Sequence, residues 1–179
     1  MTPAYASITT LARIRAARPC SEGWTMLLKH LGKTAEDDEP LPLLTVLDSN
    51  GLDDALWVLS YAMPDDRLAR HFQAWCAEQV LHHFEAVHPG DYRVRDQIAM
   101  LRRDDASPME RATARAAAKA AAGGVVWAAW WDTAWDTAWT TAWTTAGATA
   151  GATAGVAARD AQERQLRVML AATVAEGQP

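Results

Sequence analysis

Apolar residues recur every three or four positions along most of this chain, which is the spacing of one face of an α-helix. Trp24, Leu27, Leu28 and Leu31 share such a face, and Gly32 directly after them is a typical helix end. The same spacing, with the turn residues and prolines between the segments, predicts helices over 8–17, 21–31, 52–63, 67–87 and 93–103, and a helical turn at 43–47. Strands are expected to be almost absent.

A longer helical segment is predicted to begin near residue 107. Ser107 suits the N-cap, Pro108 the first helical position and Glu110 the third, which together form a recognisable start signal. We therefore expect a single all-α domain made of two parts. The first is an N-terminal helical region, 1–106, with an acidic loop at 33–42, and the second is a long Ala-rich helical region, 107–176.

Inside that second region the sequence nearly repeats every four residues. One column of the repeat contains five tryptophans followed by three glycines: Trp127, Trp131, Trp135, Trp139, Trp143, Gly147, Gly151 and Gly155. On an α-helix each four-residue step turns about 400°, so the column drifts around the axis by about 40° per repeat. A straight partner helix could not stay in contact with this column along its whole length. We therefore expect a helical bundle wrapped around this long C-terminal Ala-, Trp-, Thr- and Gly-rich helix.

The two halves of the column predict different contacts. Trp135, Trp139 and Trp143 are candidates for core packing or for contact with a protein partner, because Trp contributes strongly to interfaces. The three glycines predict close helix packing and allow a homodimer. A β arrangement with a flat Thr-rich face is the alternative, and would indicate a structural or surface-binding repeat protein. Ala and Asp in the tract disfavour it.

Charge is unevenly distributed along the chain. The formal net charge is −5, and residues 1–66 hold ten acidic and five basic side chains. Nucleic acid attracts Lys and Arg, so this balance gives no support to nucleic-acid binding. It favours a basic protein partner instead. The candidate partner-binding acids are Glu36, Asp37, Asp38, Glu39, Asp65 and Asp66.

No motif for catalysis, metal or cofactor emerges from the residues, and we predict none of these. Cys20 and Cys76 are too few for a disulfide framework. His82 and His83 are adjacent, so they point about 100° apart on a helix. The stretch LDSNGLDD has the composition of a calcium loop without its spacing, and turn formation with helix capping explains it better.

Neither a signal peptide nor a convincing membrane span is evident, and a cytoplasmic protein is expected.

Three segments resemble a known family. LDSNGLDDALW, the helix containing AWCAEQV, and the tract of four-residue Ala/Trp steps are similar to the immunity protein family found in bacterial polymorphic-toxin loci and in phage genomes. The similarity covers about residues 44–172. In the tract, this sequence differs from the family, because Thr replaces many Ala and Gly replaces the later Trp.

The resemblance implies an all-α protein without enzymatic activity that neutralises another protein by binding it. The expected function is therefore a non-enzymatic inhibitor of a toxin or a defence effector. An alternative is a phage anti-defence inhibitor of the anti-CRISPR type, directed at a host nuclease complex. An enzyme with an unrecognised site would instead need a polar pocket that contains His71, Cys76 or His83.

Overall fold

A computed structural model describes residue 5 and residues 7–121 and 156–171. This part of the chain is mostly helical, as the sequence predicts. Its helices are α1 (Leu11–Ala16), α2 (Ser21–Leu31), α3 (Leu43–Asn50), α4 (Leu52–Tyr61), α5 (Arg67–Val87), α6 (Arg93–Arg102), α7 (Pro108–Ala121) and α8 (156–171). Its strands are β1 (Ile8–Thr9) and β2 (Leu41–Pro42), which pair antiparallel.

The chain forms two compact units. The first consists of Met1–Ala69 together with Glu163–Pro179, and the second is Arg70–Gln162. The first unit is thus built from two stretches that are far apart in the sequence.

The extreme N-terminal helix is shorter than predicted. We expected it to start at residue 8, but Ile8 and Thr9 pair with Pro42 and Leu41, and α1 begins only at Leu11. Thr10 has an extended backbone, and its hydroxyl accepts a hydrogen bond from the N–H of Arg13. A Thr in this role satisfies one of the free donors at the helix start, so it sets the boundary between strand and helix.

Leucine and isoleucine side chains form most of the core of the first unit. α3 packs against both α2 and α4. The buried side chains are Leu11, Ile14, Leu27, Leu41, Leu43, Val46, Leu47, Leu52, Ala55, Leu56, Val58, Leu59, Ala62, Leu68, Leu166, Met169 and Leu170. The last three come from α8, so this helix completes the first unit's core.

The LDSNGLDD stretch is the corner between α3 and α4. Gly51 joins the two helices with a φ of 82°, which only glycine adopts without strain. The Asn50 side-chain amide donates to the carbonyl of Gly23 on α2 at 2.8 Å and to Oδ2 of Asp54 at 2.7 Å. The predicted break over Asp48–Gly51 is confined to Gly51, because Asp48, Ser49 and Asn50 belong to α3, and the Asn50 side chain connects this corner to α2.

α6 and α7 pack closely in the second unit. Its core contains Phe84 of α5, Val94, Ile98 and Leu101 of α6, and Ala118 and Ala121 of α7, together with Ala74. Alanine on the α7 face lets the backbones of the two helices approach, while Phe84 is the largest side chain of this core. Ser107 and Glu110 start α7 with the predicted reciprocal bonds, since each side chain accepts from the other residue's backbone N–H.

Most of the predicted long central helix lies outside the described residues. α7 ends at Ala121 and α8 covers 156–171, so neither a single long helix nor its wrapping by a bundle is confirmed. Trp135, Trp139, Trp143, Gly147, Gly151 and Gly155 lie outside the described residues. None of the helices in the described ranges is both long and apolar enough to cross a membrane.

Candidate protein-binding surface

The predicted acidic loop follows α2 and is held in place at its first residue. Gly32, with a φ of 66°, ends α2 in the left-handed conformation. The backbone N–H of Lys33 then donates to the carbonyl of Leu28 at 2.9 Å. This satisfies a free carbonyl at the helix end and fixes the direction in which the chain leaves it.

The Lys33 side chain organises the acids that follow. Its ammonium group lies 2.5 Å from a carboxylate oxygen of Asp37 and 2.6 Å from one of Glu39. The hydrogen bond to Asp37, followed by the one to Glu39, raises the pKa of Lys33. The same bond from Lys33 lowers the pKa of Asp37. Like charges that would repel one another are therefore held together around one cation.

The loop is also joined to α1. The carbonyl of Asp37 accepts from the backbone N–H of Ala12 at 2.9 Å, and a carboxylate oxygen of Asp37 accepts from the N–H of Glu39 at 3.1 Å. Glu36, Asp38 and Glu39 are all exposed on this loop. The geometry thus presents a set of carboxylates on a backbone that is held by α1, α2 and Lys33.

The four predicted loop acids therefore have different roles. Asp37 and Glu39 share Lys33, which the sequence does not indicate, because the spacing rule for charge pairs holds on a helix and these residues lie in a loop. Glu36 and Asp38 are exposed. Among the described residues, neither of these two forms an ion pair.

The remaining predicted acids belong to a different segment. Asp65 and Asp66 are exposed between α4 and α5, and Oδ1 of Asp65 accepts from the backbone N–H of Arg67 at 3.0 Å. Asp65 thus helps to start α5, as a carboxylate near a helix N-terminus does. The tryptophans proposed as partner contacts are outside the described residues.

The cysteines show no catalytic arrangement in the described part of the chain. Burial raises the pKa of the Cys76 thiol to about 12, so it stays protonated and poorly nucleophilic at neutral pH. Cys20 is exposed, and its sulfur accepts from the N–H of Gly23 at 3.3 Å as the N-cap of α2. Packing therefore explains Cys76, and helix capping explains Cys20.

A polar cluster at the end of α6 contains the only buried arginine of the described residues. One guanidinium nitrogen of Arg70 donates to the carbonyls of Leu101 and Arg103 at 2.8 and 3.3 Å, and the other lies 3.3 Å from Asp104. Nε2 of His71 is 3.3 Å from the same Asp104 oxygen. Because the carbonyls at a helix end lack partners within the helix, this cluster acts as a C-terminal cap.

The other histidines lie at the surface. His82 and His83 are both exposed on α5, with ring centroids 3.9 Å apart. Within the described ranges, no three or more His, Cys, Asp or Glu side chains are grouped so that they could hold a metal ion.

Comparison with protein-family models, with characterised proteins and with solved structures gives no match to this chain.

Proposed function

We propose that this chain is a non-enzymatic inhibitor that neutralises a toxin or a defence effector by binding a basic surface of that protein in the cytoplasm. The observation that carries the proposal is the acidic loop, whose carboxylates are exposed while its backbone is held at Ala12 and Leu28. The resemblance of LDSNGLDDALW and AWCAEQV to the immunity protein family supports the same function.

A loop whose backbone is already fixed by hydrogen bonds suits binding for an energetic reason. Ordering a flexible side chain or loop on binding costs free energy, and a loop that is already ordered avoids part of that cost. Opposite charges across an interface also accelerate association and reject wrongly charged partners. A negative loop on a chain of net charge −5 therefore favours a positively charged effector.

The test is capture of the effector by paired variants. The protein is immobilised and exposed to lysate from the host of origin, in parallel with a Glu36→Gln/Asp38→Asn variant. The control is Glu22→Gln/Asp96→Asn, which removes two exposed acids elsewhere and changes the net charge equally. We expect one basic protein to bind the wild type and the control, to bind the loop variant at least tenfold more weakly, and to be released by salt.

The captured protein is then purified, and its own activity is measured with and without this chain. Loss of that activity with the wild type, and its return with the loop variant, would support inhibition. A partner captured equally by the wild type and the loop variant would contradict the role of the loop. A captured partner whose activity is unchanged would contradict inhibition itself.

A further inference from the structure

The sequence contains a single asparagine, Asn50, and a glycine follows it directly. An asparagine side chain cyclises most readily before glycine, because glycine has no Cβ to shield its backbone nitrogen. In this reaction the backbone nitrogen attacks Cγ of the asparagine, and the side-chain nitrogen leaves as ammonia. A chemically labile pair of residues therefore lies at the corner between α3 and α4.

The groups that would react are hydrogen-bonded in the folded corner. The backbone N–H of Gly51, which supplies the nucleophile, donates to the carbonyl of Leu47 at 3.0 Å. Both hydrogens of the Asn50 amide are also used, since Nδ2 donates to the carbonyl of Gly23 and to Oδ2 of Asp54. Cyclisation requires the nitrogen of Gly51 to lose its proton and Cγ of Asn50 to turn toward it. These bonds must therefore break before the reaction can occur.

The product of the reaction cannot restore the same bonds. Water adds to one of the two carbonyl carbons of the cyclic imide, which opens to aspartate or isoaspartate. Either product carries a carboxylate in place of the amide, and an ionised carboxylate only accepts hydrogen bonds. The carbonyl of Gly23 and the carboxylate of Asp54, now 2.8 and 2.7 Å from the Asn50 nitrogen, would then face another acceptor. Two like charges would also repel one another within the corner.

We propose that Asn50 and Gly51 form a self-modification site. Opening of the corner between α3 and α4 frees Asn50 to convert to aspartate or isoaspartate, and the conversion permanently removes the bond that ties α2 to the corner. Water is the only co-reactant, and the proton given up by the Gly51 N–H completes the ammonia that leaves. The inference does not depend on the proposed function.

The rate of conversion tests whether local opening controls the reaction. The full chain is incubated at mildly alkaline pH, in native buffer and in urea above the unfolding transition. Mass spectrometry of the tryptic peptide 34–67 measures the conversion, and released ammonia gives a second count. We expect the reaction in native buffer to be at least tenfold slower than in urea. We also expect it to be at least tenfold faster than the globally unfolded fraction allows, because local opening costs less than global unfolding.

Protein variants then locate the opening. Asp54→Ala removes one partner of the Asn50 amide and is expected to raise the ratio of the native rate to the urea rate at least threefold. Asp96→Ala makes the same substitution at an exposed position of the second unit and should leave this ratio unchanged. The unfolded fraction of each variant is measured, so that a general loss of stability is not mistaken for opening of the corner. Asn50→Gln should release no ammonia over the same period.

A second set of variants tests the effect of the product on α2. Asn50→Asp introduces the carboxylate directly, and we expect it to make backbone hydrogen exchange in α2 at least fivefold faster while exchange in α6 of the second unit stays unchanged. Asn50→Asp/Asp54→Asn returns an amide donor to the pair and removes the like charge. This double variant is therefore expected to recover most of the protection of α2.

Three results would overturn the proposal. One is a native rate no faster than the unfolded fraction allows, which would assign the reaction to global unfolding. Another is an equal ratio of native to urea rates in the wild type and in Asp54→Ala. The last is unchanged hydrogen exchange of α2 in Asn50→Asp, which would show that the bond to Gly23 does not hold that helix.

Discussion

Arg18 occupies a backbone conformation that side chains disfavour. Its φ is 62°, in the left-handed region, and its N–H donates to the carbonyl of Arg15 at 3.0 Å where α1 ends. A Cβ in this region costs about 1–2 kcal/mol, and glycine avoids that cost. We expect Arg18→Gly to raise the free energy of unfolding by about 0.5–1 kcal/mol, since the freedom of glycine in the unfolded chain offsets part of the gain.

Arg18→Ala is the control, because it removes the charge and keeps the Cβ. Urea denaturation followed by circular dichroism compares the two variants with the wild type. If Arg18→Ala is as stabilising as Arg18→Gly, the arginine charge and not the backbone is the cause.

Gly23 is a second position where adding a single atom, a Cβ, is expected to change the stability of the protein. A Cβ added there would lie 2.4 Å from Oδ2 of Asp54 and 3.2 Å from the sulfur of Cys20. Asp54 cannot move freely, because Oδ2 accepts from Asn50. We expect Gly23→Ala to lower the free energy of unfolding by about 1–2 kcal/mol, although alanine is the better helix former.

The Asp54→Ala background tests this cause by a double-mutant cycle in urea. Once the carboxylate is absent, Gly23→Ala should become neutral or stabilising. An equal loss of stability in both backgrounds would show that the contact with Asp54 is not the source of the strain. Neither this contact nor the conformation of Arg18 could be predicted from the sequence, because each depends on backbone geometry that no local pattern encodes.

At the scale of elements, the start of α6 is held by Asp91. The carboxylate accepts from the backbone N–H of Arg93 at 3.2 Å and from its guanidinium group at 2.9 and 2.6 Å. The side-chain hydrogen bond from Arg93 is the main reason that the pKa of Asp91 falls from 3.8 to about 2. A lowered carboxyl pKa contributes stability that is present above pH 3.8 and is lost as the pH falls through about 2.

We therefore expect the Asp91 carboxyl to titrate near pH 2 in an NMR experiment, and Arg93→Gln to move its midpoint upward toward 3.8. Arg95→Gln is the control, because Arg95 pairs with Glu85. A midpoint that Arg93→Gln leaves in place would mean that another group sets the pKa of Asp91.

Most helices of the first 121 residues follow from their apolar spacing and end signals, as α2 with Gly32 and α7 with Ser107 illustrate. The strand at Ile8–Thr9 does not, because its partners, Pro42 and Leu41, lie 34 and 32 residues away and the local sequence also suits a helix. The acidic loop was predicted, whereas the bond between Ala12 and Asp37 that joins it to α1 was not, because these two residues are brought together only through the fold.

At the scale of the whole molecule, the core of the first unit includes α8, which follows the second unit in the sequence. Leu166 of α8 is fully buried, and Arg167 on the same helix hydrogen-bonds Asp48 of α3 at 2.6 Å. We expect Leu166→Ala to lower the free energy of unfolding by about 2–5 kcal/mol, as truncation of a buried leucine does. Val168→Ala removes a 62 % exposed side chain and should change stability by no more than about 0.5 kcal/mol.

Chemical denaturation of both variants provides the comparison, with hydrogen exchange of α3 and α4 as a second measurement. Faster exchange in α3 and α4 for Leu166→Ala alone would show that α8 stabilises the first unit. Equal stability of the two variants would contradict that role. The apolar spacing of QLRVML predicts a helix here, but nothing in the sequence says that its leucines complete a core begun at residue 11.

The return of α8 to the first unit also has a consequence during synthesis. When Ala69 leaves the ribosome, the leucines of α1 to α4 still lack Leu166, Met169 and Leu170. The intervening stretch, Arg70–Gln162, takes roughly 5–20 s to translate at about 5–20 residues per second. During that interval the nascent chain carries an incomplete apolar core, so every four-residue step added to the tract lengthens the time for which these leucines stay exposed.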